Sequence, residues 1–159
     1  MMRFAVALAL LALLGCAEGG ESPVPEKKAA AKKAAPKAPD LGMYFAKDGQ
    51  ISMEVFDDNL LGKDYLPGGN LAQYYKGGKK YQQFLIQTRD AESAALLAFE
   101  IKAKLEDSKF IPHFGGYFGM DGSNPVFIFP KGKHVGGYVG LSQEGADAEA
   151  RDFAHRVPN

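Results

Sequence analysis

The sequence predicts an α+β domain, an antiparallel sheet packed by two main helices, after a cleaved signal and a disordered tether. Three observations predict it: short apolar runs broken by turn residues through most of 41–159, a helical stripe after Asp90, and a second stripe after Ser142. Taken in order, Ile51, Met53 and Val55 alternate with Ser52 and Glu54, and residues 43–46 precede them across Lys47-Asp48-Gly49. An Asp-Gly between such runs signals a hairpin. Pro67-Gly68-Gly69-Asn70 then breaks the chain, with Asn70 placed to cap a short helix over 71–76 that Gly77-Gly78 ends. Residues 81–88 read as a strand with Phe84 and Ile86 in register. The longest helix is expected from Asp90, its cap, to about Asp107, with Ala94, Leu97, Ala98, Ile101 and Leu105 on one stripe. Beyond a Gly-rich aromatic stretch at 110–120, Val126-Phe127-Ile128-Phe129 is a strand. Pro130-Lys131-Gly132-Lys133 is its turn, and residues 134–141 return as its partner. Ser142 caps a closing helix that buries Ala146, Ala150, Phe153, Ala154 and Val157.

Composition narrows the function. The 159 residues carry 19 basic and 19 acidic side chains and one cysteine. A neutral balance lacks the electrostatic footprint of a nucleic-acid binder. A lone cysteine excludes a disulfide framework and any cysteine-based zinc or iron–sulfur site, which need several thiolates together.

The N-terminus is an address. After Arg3, residues 4–14 form an unbroken apolar run ending at Gly15-Cys16. Eleven residues rise about 16 Å as a helix, roughly half a bilayer's hydrocarbon thickness, so the run suits an export signal and not a membrane span. Leu13-Leu14-Gly15-Cys16 resembles the lipobox of bacterial lipoproteins. The resemblance implies cleavage between Gly15 and Cys16, lipidation of Cys16, and a membrane held through two or three acyl chains. Ala17 follows the cysteine where Asp is absent, which implies a cell-envelope location at the outer membrane, facing the periplasm.

Domain boundaries follow from composition. Residues 1–15 are the signal, 16–40 the lipidated cysteine with an Ala/Lys/Pro-rich tether, and 41–159 a single domain. Val24 is the only large apolar residue of 17–40, so nothing there offsets chain entropy. The tether's slight positive balance, a net charge of +1, suits anionic head groups or cell-wall polymers, and equally a solvated spacer.

Chemistry is sparse in the domain. His113, His134 and His155 fall in a loop, at a strand start and at a helix end, without metal-ligand spacing, so no metal is expected. The glycine doublets lack the residues that complete phosphate or dinucleotide motifs, so no cofactor is expected, and turns, helix stops and bulges are their ordinary explanation. No Gly-x-Ser-x-Gly occurs. The one suggestive concentration is aromatic: Tyr74, Tyr75, His113 and Tyr117 stand beside glycines that permit close approach to the backbone, which makes them the candidate binding patch. The run Asn70-Leu71-Ala72-Gln73-Tyr74-Tyr75-Lys76-Gly77-Gly78, the Ala-rich helix and the strand after Lys133 also resemble an uncharacterised bacterial domain family of exported proteins, which has no catalytic residues to carry over. Two functions stay open. One is a lipid-anchored, non-catalytic binding or structural domain, with an envelope protein, a polymer or a small molecule as its partner; the other is an envelope hydrolase or other enzyme with a site assembled from separate loops.

Overall fold

The computed structural model describes residues 37–159; the signal, Cys16 and the tether as far as residue 36 lie outside the described residues. The strands are β1 Gln50–Asp58, β2 Pro67–Lys76, β3 Lys79–Gln87, β4 Glu106–Ile111, β5 Gly116–Asp121, β6 Asn124–Lys131 and β7 His134–Val139. Helix α1, Ala91–Lys102, joins β3 to β4, and α2, Gln143–Arg156, follows β7. The strands make one seven-stranded sheet in the order β1-β2-β3-β7-β6-β5-β4, antiparallel at every pairing. Two meanders, β1 to β3 and β4 to β7, are thus zipped together where β3 pairs with β7. The architecture is the expected α+β one.

Alternation along the strands sends side chains to two faces, and each face is covered by its own helix. Tyr74, Tyr81, Leu85, Phe127, Phe129 and Tyr138 pack against Ala146, Ala150 and Phe153 of α2. Their neighbours Leu71, Phe84, Ile86, Val126, Ile128 and Val135 pack on the other side against Ala94, Leu97, Ala98 and Ile101 of α1. Both caps lie where the sequence puts them: Asp90 accepts from the Ser93 amide at 2.8 Å, and Ser142 from the Gly145 amide at 3.3 Å. Hydrogen bonds from Ser93 and Arg89 hold the Asp90 carboxyl far below the ordinary range.

Four local expectations are corrected. Residues 71–76 are strand, not helix: Leu71, Ala72 and Tyr74 are buried on alternating faces, and a helix there would strand the edge of β3. Asn70 is therefore a strand residue and caps nothing. Residues 42–44 form a 3-10 turn, and β1 pairs with β2 instead of folding back on 43–46. Helix α1 stops at Lys102, and Glu106 onward is recruited as the edge strand β4. The turn after β6 is the two-residue Gly132-Lys133, with Gly132 at φ 53° and Pro130 still paired with Val135 inside the ladder.

The Gly136-Gly137 pair has a role that turns and bulges do not describe. It lies in the interior of β7, one glycine toward each face. A Cβ on Gly136 would come within 3.0 Å of the Phe153 ring and 3.1 Å of Phe129, while one on Gly137 would run into the Phe84 ring. The glycines leave room for aromatic rings against the middle of the sheet, Phe129 and Phe153 on one face and Phe84 on the other.

The described chain begins by docking onto β2. The Asn70 amide is fully buried, donating to the Pro39 carbonyl at 2.8 Å and accepting from the Leu41 amide at 2.8 Å. The Ala38 amide donates to the Asp57 carboxylate at 3.2 Å.

Candidate functional site

The four aromatic candidates do not meet. Tyr74 is buried on the α2 face, stacked on Tyr81 with ring centroids 5.1 Å apart, and its hydroxyl donates to the Ala46 carbonyl at 2.8 Å. Burial pushes that hydroxyl's pKa up to about 12, so it stays a neutral donor. Tyr75, the next residue of the strand, projects to the other face and is exposed. Tyr117 packs toward the α1 face beside Phe110, ring centroids 5.5 Å apart. His113 sits in the turn between β4 and β5, where its Nε2 meets Asp147 of α2. A patch made of these four residues is ruled out by the pleat: Tyr74 is packing, and Tyr117 lies across the sheet from it.

Of the histidines, His113 ties two elements together and His134 is packed in the core. His113 ties the β4–β5 turn to α2 through Asp147, whose other oxygen accepts from Arg151 at 2.8 and 2.9 Å. Burial tends to raise the Asp147 pKa, but the hydrogen bonds from His113 and Arg151 outweigh it and hold the carboxyl below its ordinary range. His134 is buried beside Tyr44, with ring centroids 6.4 Å apart, and its Nδ1 has no hydrogen-bond partner. Burial, with Lys133 adding to it, pushes this imidazole below its ordinary pKa, so it packs as a neutral ring. The hydroxyls of Thr88, Ser142, Tyr74 and Tyr138 bond to backbone groups and to none of the three histidines. No group of three or more His, Cys, Asp or Glu side chains suited to a metal ion occurs among the described residues.

A concave site lies elsewhere, on the α1 face. Helix α1 covers β5, β6 and β7, while the segment between β1 and β2 folds over β2. Between these two covers the sheet is left open as a cleft of about 240 Å³. Its floor is apolar, with Phe84 from β3, Val126 from β6 and Val139 from β7, and the end of α1 adds Ile101 and Leu105 as one wall. Leu61, Tyr65 and Leu66 form the opposite wall. Polar groups gather at the rim: Gln82, Asn124, and Lys63 with Asp121, whose ammonium and carboxylate are 2.6 Å apart.

That opposite wall is built with backbone strain. Asn59 (φ 50°, ψ 43°) and Leu61 (φ 58°, ψ 17°) both adopt left-handed conformations, and left-handed non-glycine backbone costs on the order of 1–3 kcal/mol per residue. The fully buried Leu60 side chain and a closed set of backbone bonds, Gly62 to Asn59, Lys63 to Leu60 and Leu66 to Lys63, hold it in place. The Lys104 ammonium lies 5.7 Å from the centre of the Tyr65 ring. Burial raises the Tyr65 hydroxyl's pKa, and the hydrogen bond to Asp121 raises that of Lys63, so the rim is a neutral phenol beside an intact ion pair.

Sequence reasoning passed over residues 59–66. Their signal is a loop carrying Leu60, Leu61, Tyr65 and Leu66, far more apolar than a loop that only turns the chain. The partners Gln82, Asn124 and Asp121 are legible only once the register puts them at the same end of the sheet. No family model matches the chain, and no curated protein or solved structure matches it either.

Proposed function

We propose that this chain is a lipid-anchored protein of the bacterial cell envelope, held at the outer membrane through Cys16 and facing the periplasm, whose α+β domain binds a small molecule without transforming it. The cleft on the α1 face carries the binding half of this reading. It combines an apolar floor with a few convergent polar groups, the usual make-up of a ligand site, and no Ser, Thr, Cys or His lines it. The address is supported by Leu13-Leu14-Gly15-Cys16 at the end of an eleven-residue apolar run. No helix among the described residues is long and apolar enough to cross a membrane.

The hydrolase reading has one observation in its favour, the contact of His113 with Asp147. That pair is a strap between a turn and a helix, and half of the His113 side chain is exposed. A nucleophile would have to come from the substrate or from water.

Two measurements test the proposal. Metabolic labelling with a fatty acid should mark the wild-type protein and not Cys16→Ser; equal label in both overturns the anchor. Amide chemical shifts of the full chain, followed against a panel of small amphipathic molecules, should move at Phe84, Val126 and Leu105. Shifts clustering at His113 and Asp147, with turnover of the added compound, would favour the hydrolase instead.

A further inference from the structure

The rim of the cleft narrows the kind of molecule that fits it. This step rests on the reading of the domain as a small-molecule binder and adds the ligand's chemistry. Lys63 and Asp121 are each about one-third exposed and already neutralise one another. A ligand bearing a single charge can engage only one of them and leaves the other, a partly exposed group, without the counter-ion it now holds at 2.6 Å. A ligand with an ammonium and a carboxylate on one carbon exchanges one pair for two, ammonium to Asp121 and carboxylate to Lys63, and strands neither.

The remaining lining agrees with that arrangement. Gln82 and Asn124 stand at the same rim, and each amide offers both a donor and an acceptor. Below them Phe84, Val126 and Leu105 offer only apolar surface. The volume of about 240 Å³ falls under the roughly 300–1,000 Å³ of sites for drug-sized ligands, which limits the occupant to a compact body. The strained but well-anchored wall at Asn59 and Leu61 fixes the shape before a ligand arrives, and a preformed site loses less on binding. From this geometry we infer that the cleft takes a free apolar α-amino acid, its side chain on the sheet and its zwitterionic end between Lys63 and Asp121.

The test titrates the purified full chain near neutral pH with leucine and phenylalanine as probes, read by calorimetry and by amide chemical shifts. N-acetylleucine lacks the ammonium, leucinamide lacks the carboxylate, glycine lacks the apolar body, and 3-methyl-1-butanol is the uncharged apolar control. Leucine or phenylalanine should shift Lys63, Asp121 and Val126, and each control should bind at least about tenfold more weakly. Lys63→Met and Asp121→Asn should each lower leucine affinity by at least about tenfold while the unfolding midpoint stays close to wild type. The analogue series uses the wild-type chain, so it decides the matter even where a variant folds poorly. N-acetylleucine, leucinamide or the alcohol binding as well as leucine would overturn the zwitterion and leave the binding reading standing. If no probe moves the cleft resonances, the amino-acid inference falls, and the binding reading falls with it only if the panel of small amphipathic molecules leaves them unmoved as well.

Discussion

Asn70 offers a quantitative test of how the described chain is joined to its sheet. The side chain is fully buried and both halves of its amide are used, each at 2.8 Å. In Asn70→Ala the two lost bonds have unequal consequences. The Leu41 amide belongs to a buried residue and is left without a partner, which costs about 1–3 kcal/mol. Pro39 is exposed, so its carbonyl can be rewetted and adds little. Loss of the amide's volume from a packed site adds a smaller cavity contribution. The expected total is about 2–3 kcal/mol, and for a domain of this size it lowers the melting temperature by on the order of 10 °C. Asn70→Asp should be no milder: it keeps an acceptor for the Leu41 amide but buries a carboxylate against the Pro39 carbonyl. Chemical denaturation of both variants, with hydrogen exchange at Leu41, measures the effect. A loss under about 0.5 kcal/mol in Asn70→Ala, with Leu41 still protected, would refute the view that this amide clamps the chain to β2.

Further outcomes follow from the same geometry. Gly137→Ala places a methyl group in the Phe84 ring and should destabilise by about 1–3 kcal/mol through overpacking; a melting temperature equal to wild type would contradict the argument that these glycines make room for the rings. Tyr74→Ala should cost on the order of 3–5 kcal/mol and Tyr75→Ala under about 0.5 kcal/mol, read by denaturant unfolding, because one ring is core and its neighbour is on the surface. His134 has a folded pKa below its unfolded one, so the unfolded chain binds its proton first. Its stability contribution is intact above about pH 6.5 and is lost as pH falls through the folded value. Melting curves against pH should therefore fall less steeply on the acid side for His134→Leu than for wild type, and parallel curves would show that the ring does not titrate with unfolding.

Where the sequence was legible, a local signal and the tertiary demand agreed. Asp90 and Ser142 cap their helices because a short acceptor before an apolar stripe has few other uses. Illegible places are those where the sheet overruled the local pattern. Pro67-Gly68-Gly69 reads as a break, yet it is the start of β2, where a Cβ on Gly68 would run into the β1 backbone. Tyr74 and Tyr75 look alike in sequence and differ wholly in burial, because successive residues of a strand face opposite ways.

The cleft has the same origin. Lys102, Ala103, Lys104, Leu105 and Glu106 are all good helix formers with no glycine or proline among them, and propensity alone carries α1 to about Asp107. Such an extension would add about 7 Å of helix at 1.5 Å per residue. The chain instead turns after Lys102, with the Lys104 and Leu105 amides bonded back to Ile101 and Lys102 at 2.9 and 3.1 Å. Asp107 takes a left-handed conformation at a register shift, and β4 then pairs along β5. Pairing that edge is worth more than one further turn of helix, since a helix through Asp107 would consume the first residues of β4 and expose β5. Stopping early leaves Leu105 as the last apolar residue of the wall and keeps Val139 and Gln82 clear of α1's cover. The open floor is thus a consequence of a seventh strand taken from the end of a helix. The strained turn at Asn59 and Leu61 then gives that floor its second wall.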